Sequence, residues 1–333
     1  MTITVGIKAL NEAAHIAAAI DSACAAVAPF GGRVVLADSG SSDATVAIGR
    51  ACAAQGVRTV QLADPGDRSC GAGAQLAWQY AEGEYFCLID GDMTLQPGFV
   101  AAAVAYLAAH PDVAGVGGRV IERNLETAEF QIRAKAAEGE AHRRAGPVDR
   151  LDGGGVYRVS AIRRVGYFAD RNLHAFEELD LAVRLALRGG TLVRLNMPAV
   201  DHHGHRGSGY RLLLRRLVSG YASGAGEVLR GALGRPHLPL VLRRLGHLRH
   251  GLVILLWWAA LIAAGVAAPI ALPVLVLVPL GYLSVRRGGI ALGLYSLCQW
   301  NVIAVGLIRG LCRSRVPPTR ALPAVEFSPA ERA

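Results

Sequence analysis

The sequence predicts an α/β domain, a mostly parallel sheet flanked by helices, followed by C-terminal membrane helices. Three observations carry this. Short apolar runs alternate with helical stretches through the first 120 residues, the pattern of a sheet covered by helices. Acidic residues stand directly after several of those runs, where ligands meet open α/β sheets. Residues 251–285 carry no charge, a longer stretch than the roughly 20 apolar residues that one membrane span needs.

Taken in order, residues 3–9, 33–37, 57–62 and 85–89 read as buried strands, with a shorter one at 113–116. Residues 12–27, 43–54 and 73–81 read as helices, and Pro97 opens another at a position where its missing N–H costs nothing. Residues 127–144 resemble a charged helix. Residues 151–159 form a glycine-rich turn into a strand, and 176–188 an amphipathic helix stopped by Gly189-Gly190. If the sheet is parallel, the loops after Ala9, Ala37, Leu62 and Ile89 line one site, bringing Asn11, Asp38, Arg68, Asp90 and Asp92 together.

Of the 333 residues, 52% are hydrophobic and 18% charged. A soluble enzyme carries about 25% charged residues, so part of the chain is expected in lipid. The formal charge of +9 suits anionic partners such as phosphates, nucleic acid or an acidic membrane face. Residues 206–250 hold nine Arg and a single acid, Glu227. Their arginines interleave with leucines, which suits a helix in the headgroup layer of anionic lipid. Nucleic acid is set aside, because no recognised binding module is present and apolar segments follow at once. The six cysteines show no CxxC spacing and read as reduced cytosolic thiols, and the chain opens on a strand pattern rather than a signal peptide.

Asp90-Gly91-Asp92 directly follows an apolar run. Two carboxylates one residue apart at a strand end can face one pocket, and hard oxygen ligands suit Mg²⁺ or Mn²⁺ bridging to substrate phosphates. A bare DxD more often caps a helix; its place after the fourth strand favours the metal reading. Asp38 stands at the second strand end, where a carboxylate can accept hydrogen bonds from a base or ribose, while Ser42 or Asp43 reads as a cap. The cluster His202-His203-Gly204-His205 is either a third metal ligand or diphosphate contact, or a basic exposed turn. Its tight spacing is unlike a structural zinc site.

The segments ITVGIKALNE, VVLADSGSSDAT and FCLIDGDMTLQPGF, in this order, resemble a family 2 glycosyltransferase with the Rossmann-like GT-A fold, over residues 2–205. The resemblance implies that Asn11, Glu12, Asp38, Arg68 and Asp90 hold the nucleotide of a sugar donor, usually a uridine diphosphate. It implies that Asp92, with Asp90, binds the metal, and that the glycine-rich stretch with Gly154 and Tyr157 shapes the acceptor side. Glu177-Glu178-Leu179-Asp180-Leu181 matches the family's acidic motif. Its second residue, the usual general base, is here Glu178 rather than Asp, which leaves Glu177 or Asp180 as substitutes. The bland reading of the same acids is a helix N-terminus complementing its dipole. His203 is a further candidate contact.

These readings make the chain an inverting, metal-dependent transferase acting on a membrane-borne hydroxyl. The rivals are a polyprenyl-phosphate sugar transferase and a non-catalytic membrane scaffold. The expected organisation is a transferase domain at 1–205, a basic interfacial segment at 206–250, membrane segments at 251–312 and an unstructured tail at 313–333. Full spans fall near 251–268 and 270–285, and 290–308 either spans or lies in the interface. Arginine-rich flanks place the domain on the cytoplasmic side of a bacterial-type plasma membrane.

Overall fold

The computed structural model describes residues 1–124, 143–204 and 209–327. The expected helix at 127–144 and His205 lie outside these residues, 143 and 144 excepted.

The first half of the sheet follows from buried apolar runs. Strand β1 (Ile3–Ala9) has almost every residue buried, as a strand covered on both faces must. It pairs in parallel with β2 (Arg33–Asp38) and with β4 (Tyr85–Asp90), and β2 pairs in parallel with β3 (Val57–Leu62). Helices α1 (Ile16–Val27), α2 (Thr45–Ala51) and α3 (Cys70–Gln79) connect these strands. Helix α3 begins three residues before its expected start, because Ser69 caps it by accepting from the Ala72 N–H at 2.9 Å.

The second half is mixed. It contains β5 (Met93–Leu95), β6 (Val113–Glu122), β7 (Gly146–Val148), β8 (Val156–Arg158) and β9 (Thr191–His202), with α4 (Phe99–Ala109), α5 (Val159–Arg164) and α6 (Glu177–Leu187) between them. Strand β8 sits antiparallel between β4 and β6, and β6 runs parallel to β9. The three-residue strands β5, β7 and β8 are too short to show a period in sequence. The core lies on both faces of the sheet. One cluster packs α1 and α4 on β1 and β4; the other packs α3, α5 and α6 around Phe86. The Phe86 ring meets Trp78 and Phe168 edge-on at 5.4 and 4.9 Å. Each such buried side chain contributes about 1.5–3 kcal/mol.

The basic segment is not one interfacial helix. It forms α7 (Gly209–Val218), α8 (Gly224–Ala232) and α9 (Leu238–Arg244), broken at Gly220 and Gly234, whose φ of 85° and 69° no helix continues. The three helices that follow are long and apolar enough to cross a membrane: α10 (His247–Ala267), α11 (Leu272–Arg287) with the turn before it, and α12 (Ile290–Cys312). The break falls at Ala268-Pro269, between the two expected spans.

The expectation of an unstructured tail is overturned for residues 313–327. They run back across the α/β domain and end in β10 (Ala324–Phe327), antiparallel to β3. The Pro-rich composition hid a buried anchor, Leu322, and a short strand former that covers an otherwise bare sheet edge. Arg58 fastens it with two hydrogen bonds to Glu326, at 2.6 and 2.8 Å. Leu322→Ala should cost about 2–5 kcal/mol of stability. Denaturant unfolding of the detergent-solubilised protein measures this, and an unchanged midpoint would mean that the tail is not docked.

Candidate active site

The ends of β1 and β2 are tied into one wall. Asn11 takes up a left-handed conformation (φ 58°), and its Oδ1 accepts from the Ser42 N–H at 2.8 Å. The Glu12 N–H donates to Thr45 Oγ1 at 2.9 Å. Asp38 is fully buried. Its carboxylate accepts from the N–H groups of Gly40 and Ser41, from Ser41 Oγ and from Gln61 Nε2. A carboxylate entering a Ser/Gly turn meets the turn's own N–H groups first. Asp38 therefore sets the shape of the 38–43 loop. Arg68 is exposed on the neighbouring rim, with its Nε donating to the Pro65 carbonyl.

The acidic centre forms where β1, β4, β9 and α6 meet. Lys8 lies inside β1, and its ammonium stands 3.2 Å from Asp90 and 2.5 Å from Glu177. Burial alone would lower the pKa of Lys8, but the carboxylates of Asp90, Glu177 and Glu178 outweigh it and hold the amine firmly protonated. Asp92 is 6% exposed and lies 3.3 Å from His202 Nε2, whose Nδ1 meets Glu122 at 2.6 Å. Burial opposes charge on that imidazole too, yet hydrogen bonds to Asp92 and Glu122 raise it to about 10. Gly91 has no alternative here, because a Cβ would come within 2.8 Å of Glu12 Cγ. That contact brings Glu12 under the two aspartates. Burial, then Asp92 and Asp90, push Glu12 up to about 8. Half-buried Glu178 is likewise pushed to about 8 by burial and Glu177.

Several expected site residues do not join this centre. Asp180 is bound to Arg184 at 2.8 Å, and Arg184 is held in turn by the carbonyls of Tyr167 and Phe168. Asp180 stands about 4.5 Å further along the helix than Glu177, where Arg184 takes up its carboxylate. Tyr157 is 3% exposed and packs edge-on against Phe168, because β8 is an interior strand with its ring on the core face. Gly154 is a left-handed turn residue whose N–H donates to the Leu88 carbonyl. His203 stacks on His15 with ring centres 5.2 Å apart, and only its backbone N–H reaches Asp92, at the carbonyl. His202 takes the place expected for His203. Register decides this: β9 aligns His202 with Met93 and with Glu122, beside the aspartates.

Lys8 is thus the residue that sequence reasoning passed over, while His202 was offered only as one member of a histidine cluster. The available signal for Lys8 was a lone charge inside an apolar strand. The donor set suits a divalent cation. Among the described residues Glu12, Asp90, Asp92, Glu177 and Glu178 meet Lys8 and His202, with Arg215 near Glu12, which leaves a surplus of negative charge. Among the described residues no three His, Cys, Asp or Glu groups close on one point. A cation would therefore take one or two protein oxygens and the rest from a diphosphate, as Mg²⁺ commonly does. Beside Phe176, which precedes Glu177 with a strained φ of 69°, a crevice of about 60 Å³ opens among Leu213, Arg216, His247 and Val302. It reaches from α7, α10 and α12 to the N-terminus of the acidic helix.

Residues 4–166 match the sequence model for Glycosyl transferase family 2. Over these residues, about half of the chain, it resembles the family 2 glycosyltransferases. It is 28% identical over 175 residues to the succinoglycan biosynthesis protein ExoA of Rhizobium meliloti (strain 1021). That match takes in 52% of this chain and 49% of ExoA, so it spans about half the length of that relative. Among solved structures, the mannosyltransferase PcManGT of Pyrobaculum calidifontis, in complex with GDP-Man and Mn²⁺, superposes with a TM-score of 0.61 at 21% identity. The superposition covers 92% of this chain and 86% of that one. S. aureus TarS in complex with UDP-GlcNAc gives 0.52 at 13%, covering 93% and 91%. At these identities the structures establish a shared GT-A fold.

The raised Glu178 sets the sign of a stability test. The fold favours its protonated form, so its contribution is complete below the unfolded value near 4.5 and is lost as pH climbs through about 8. Glu178→Gln, locked neutral, should melt several degrees above wild type at about pH 9 and show no advantage at about pH 4. Identical melting at the higher pH would rule out a buried acid pair at 177 and 178.

Proposed function

We propose that the chain moves a sugar from a nucleotide donor, a UDP-sugar by the family resemblance, onto a hydroxyl of a membrane-borne acceptor, inverting the anomeric carbon. The observation that carries this is the convergence of Lys8, Asp90 and Glu177 with Asp92, His202 and Glu178 at one end of the sheet.

Asn11, Glu12 and the loop held by Asp38 form the nucleotide wall, with Arg68 on its rim. Asp92 and Asp90, with His202 beside them, would hold Mg²⁺ or Mn²⁺. That cation, when bound, neutralises charge gathering on the departing diphosphate. Glu178 accepts the proton of the acceptor hydroxyl as its oxygen bonds to the anomeric carbon. The bond from that carbon to the diphosphate breaks, and the nucleoside diphosphate departs with the electron pair from the opposite face. A base with a pKa near the working pH suits this transfer. Lys8 holds Asp90 and Glu177 in place by direct contact, beside the Glu178 carboxyl that burial has pushed up to about 8.

The membrane reading rests on chain geometry. Arg244, just before α10, donates to the Asp149 carbonyl, and β10, after α12, pairs with β3. Both ends of the apolar region thus meet the same domain, so the number of full crossings between them is even. Two crossings by α10 and α11, with α12 lying in the interface against α7 and α8, satisfy this. Each crossing is then about 30 Å long. The exposed arginines of this region, Arg235, Arg243 and Arg249 among them, face anionic lipid on the cytoplasmic side.

Membranes carrying wild type should release labelled nucleoside diphosphate from a UDP-sugar only with a divalent cation, and Asp92→Ala should abolish this. Equal release by both would remove the metal argument. Glu178→Gln should lower kcat by about 10²–10⁴-fold if the acceptor is a hydroxyl. Full activity in that variant would favour a polyprenyl-phosphate acceptor, which is already ionised. The crevice beside Arg216 and His247 is the feature that keeps this second reading open.

A further inference from the structure

The one acid in the basic segment, Glu227, has no part in the centre above, and yet it is 4% exposed. From α8 it grips the turn that delivers the acid pair. Its Oε2 accepts from the His174 N–H at 2.8 Å, and its Oε1 stands 2.9 Å from His174 Nδ1 and 3.4 Å from Arg313 at the exit of α12. His174 is three residues before Glu177, and the only links between them are Ala175 and the left-handed Phe176. The same turn is held a few residues earlier by the tail. Arg315 pairs with buried Asp170, and the Val316 N–H and carbonyl both bond Asn172. On its other side the turn is bonded to the start of α3, where the Gly71 N–H donates to the Leu173 carbonyl at 2.8 Å.

We infer that Glu227 is a positioning residue: with Arg313 it holds residues 174–178 against α8 and α12, and so sets where the Glu178 carboxyl stands. The physical case is the mismatch between a strained backbone and a demanding placement. A phenylalanine at φ 69° stays there only where its surroundings over-determine it. Glu227 supplies that by two bonds from one carboxylate to a single residue, in a buried site where they count most. Because α8 packs on α12 closely enough that Gly226 faces the Leu307 carbonyl, the grip is anchored to the membrane-associated helices rather than to the sheet. Glu227 acts on chemistry only through Glu178, so its loss should leave donor binding intact. The catalytic clause rests on the reading of Glu178 given above; the positioning clause does not.

The test compares Glu227→Gln, Glu227→Ala and Arg313→Lys with wild type in nanodiscs of anionic lipid. Hydrogen exchange of residues 174–180 should quicken roughly tenfold in both Glu227 variants, with α10–α12 unchanged and Arg313→Lys near wild type. Calorimetric affinity for UDP should stay within about twofold, while kcat for transfer falls by about 10²-fold, the scale set by a small misplacement of a catalytic group. Unchanged exchange at 174–180, or a rise spread evenly over the chain, overturns the inference. Local loosening with full transfer activity in these variants and in Glu178→Gln would retain the positioning and discard the catalytic role of Glu178.

Discussion

The Lys8 ammonium, buried within β1 between Asp90 and Glu177, is the contact on which the site depends. It joins carboxylates that are far apart in the chain and belong to different layers, one at a strand end and one at a helix start. Without it, Asp90, Asp92, Glu177 and Glu178 would repel one another in a poorly solvated space, and burial would drive protons onto them. Lys8 and His202 together do not balance these four acids and Glu12, and the excess is visible in the raised Glu12 and Glu178. That excess is what a phosphate-bridging metal is suited to meet, so the structural ion pair and the expected ligand chemistry arise from the same charge balance.

The parallel half of the sheet was legible because its strands are covered on both faces and so read as continuous apolar runs. The mixed half was not, since β5, β7 and β8 are three residues long and owe their existence to neighbours rather than to pattern. The same division holds within the site. The pair Asp90-Gly91-Asp92 announces itself after a strong strand, and the structure sets it beside a histidine. Which histidine depends on the pairing of β9 with β5 and β6, and a tract reading His202-His203 does not reveal that register. Asp38 and Tyr157 illustrate the converse. Both sit in recognisable motifs, yet the turn's N–H groups claim one and the aromatic core claims the other.

Composition misled at two places for one reason. The arginine-rich stretch and the proline-rich tail both look like surface, and both are held by a few buried residues that a composition window averages away. Glu227 and Val228 sink α8 into the domain, and Leu322 with β10 seats the tail. The region leading into the apolar helices is consequently continuous with the α/β fold rather than a tether beside it.

The pairing of β10 with β3 also imposes an order on biosynthesis. Leu62 leaves the ribosome long before Ala324, its partner in the finished sheet, and all three apolar helices are made in the interval. During translation, at about 5–20 residues per second, the outer β3 edge has no β10 to pair with until the three apolar helices have been made. The sheet is therefore completed only after the whole apolar region has been synthesised, so the α/β half cannot finish ahead of the long helices that follow it.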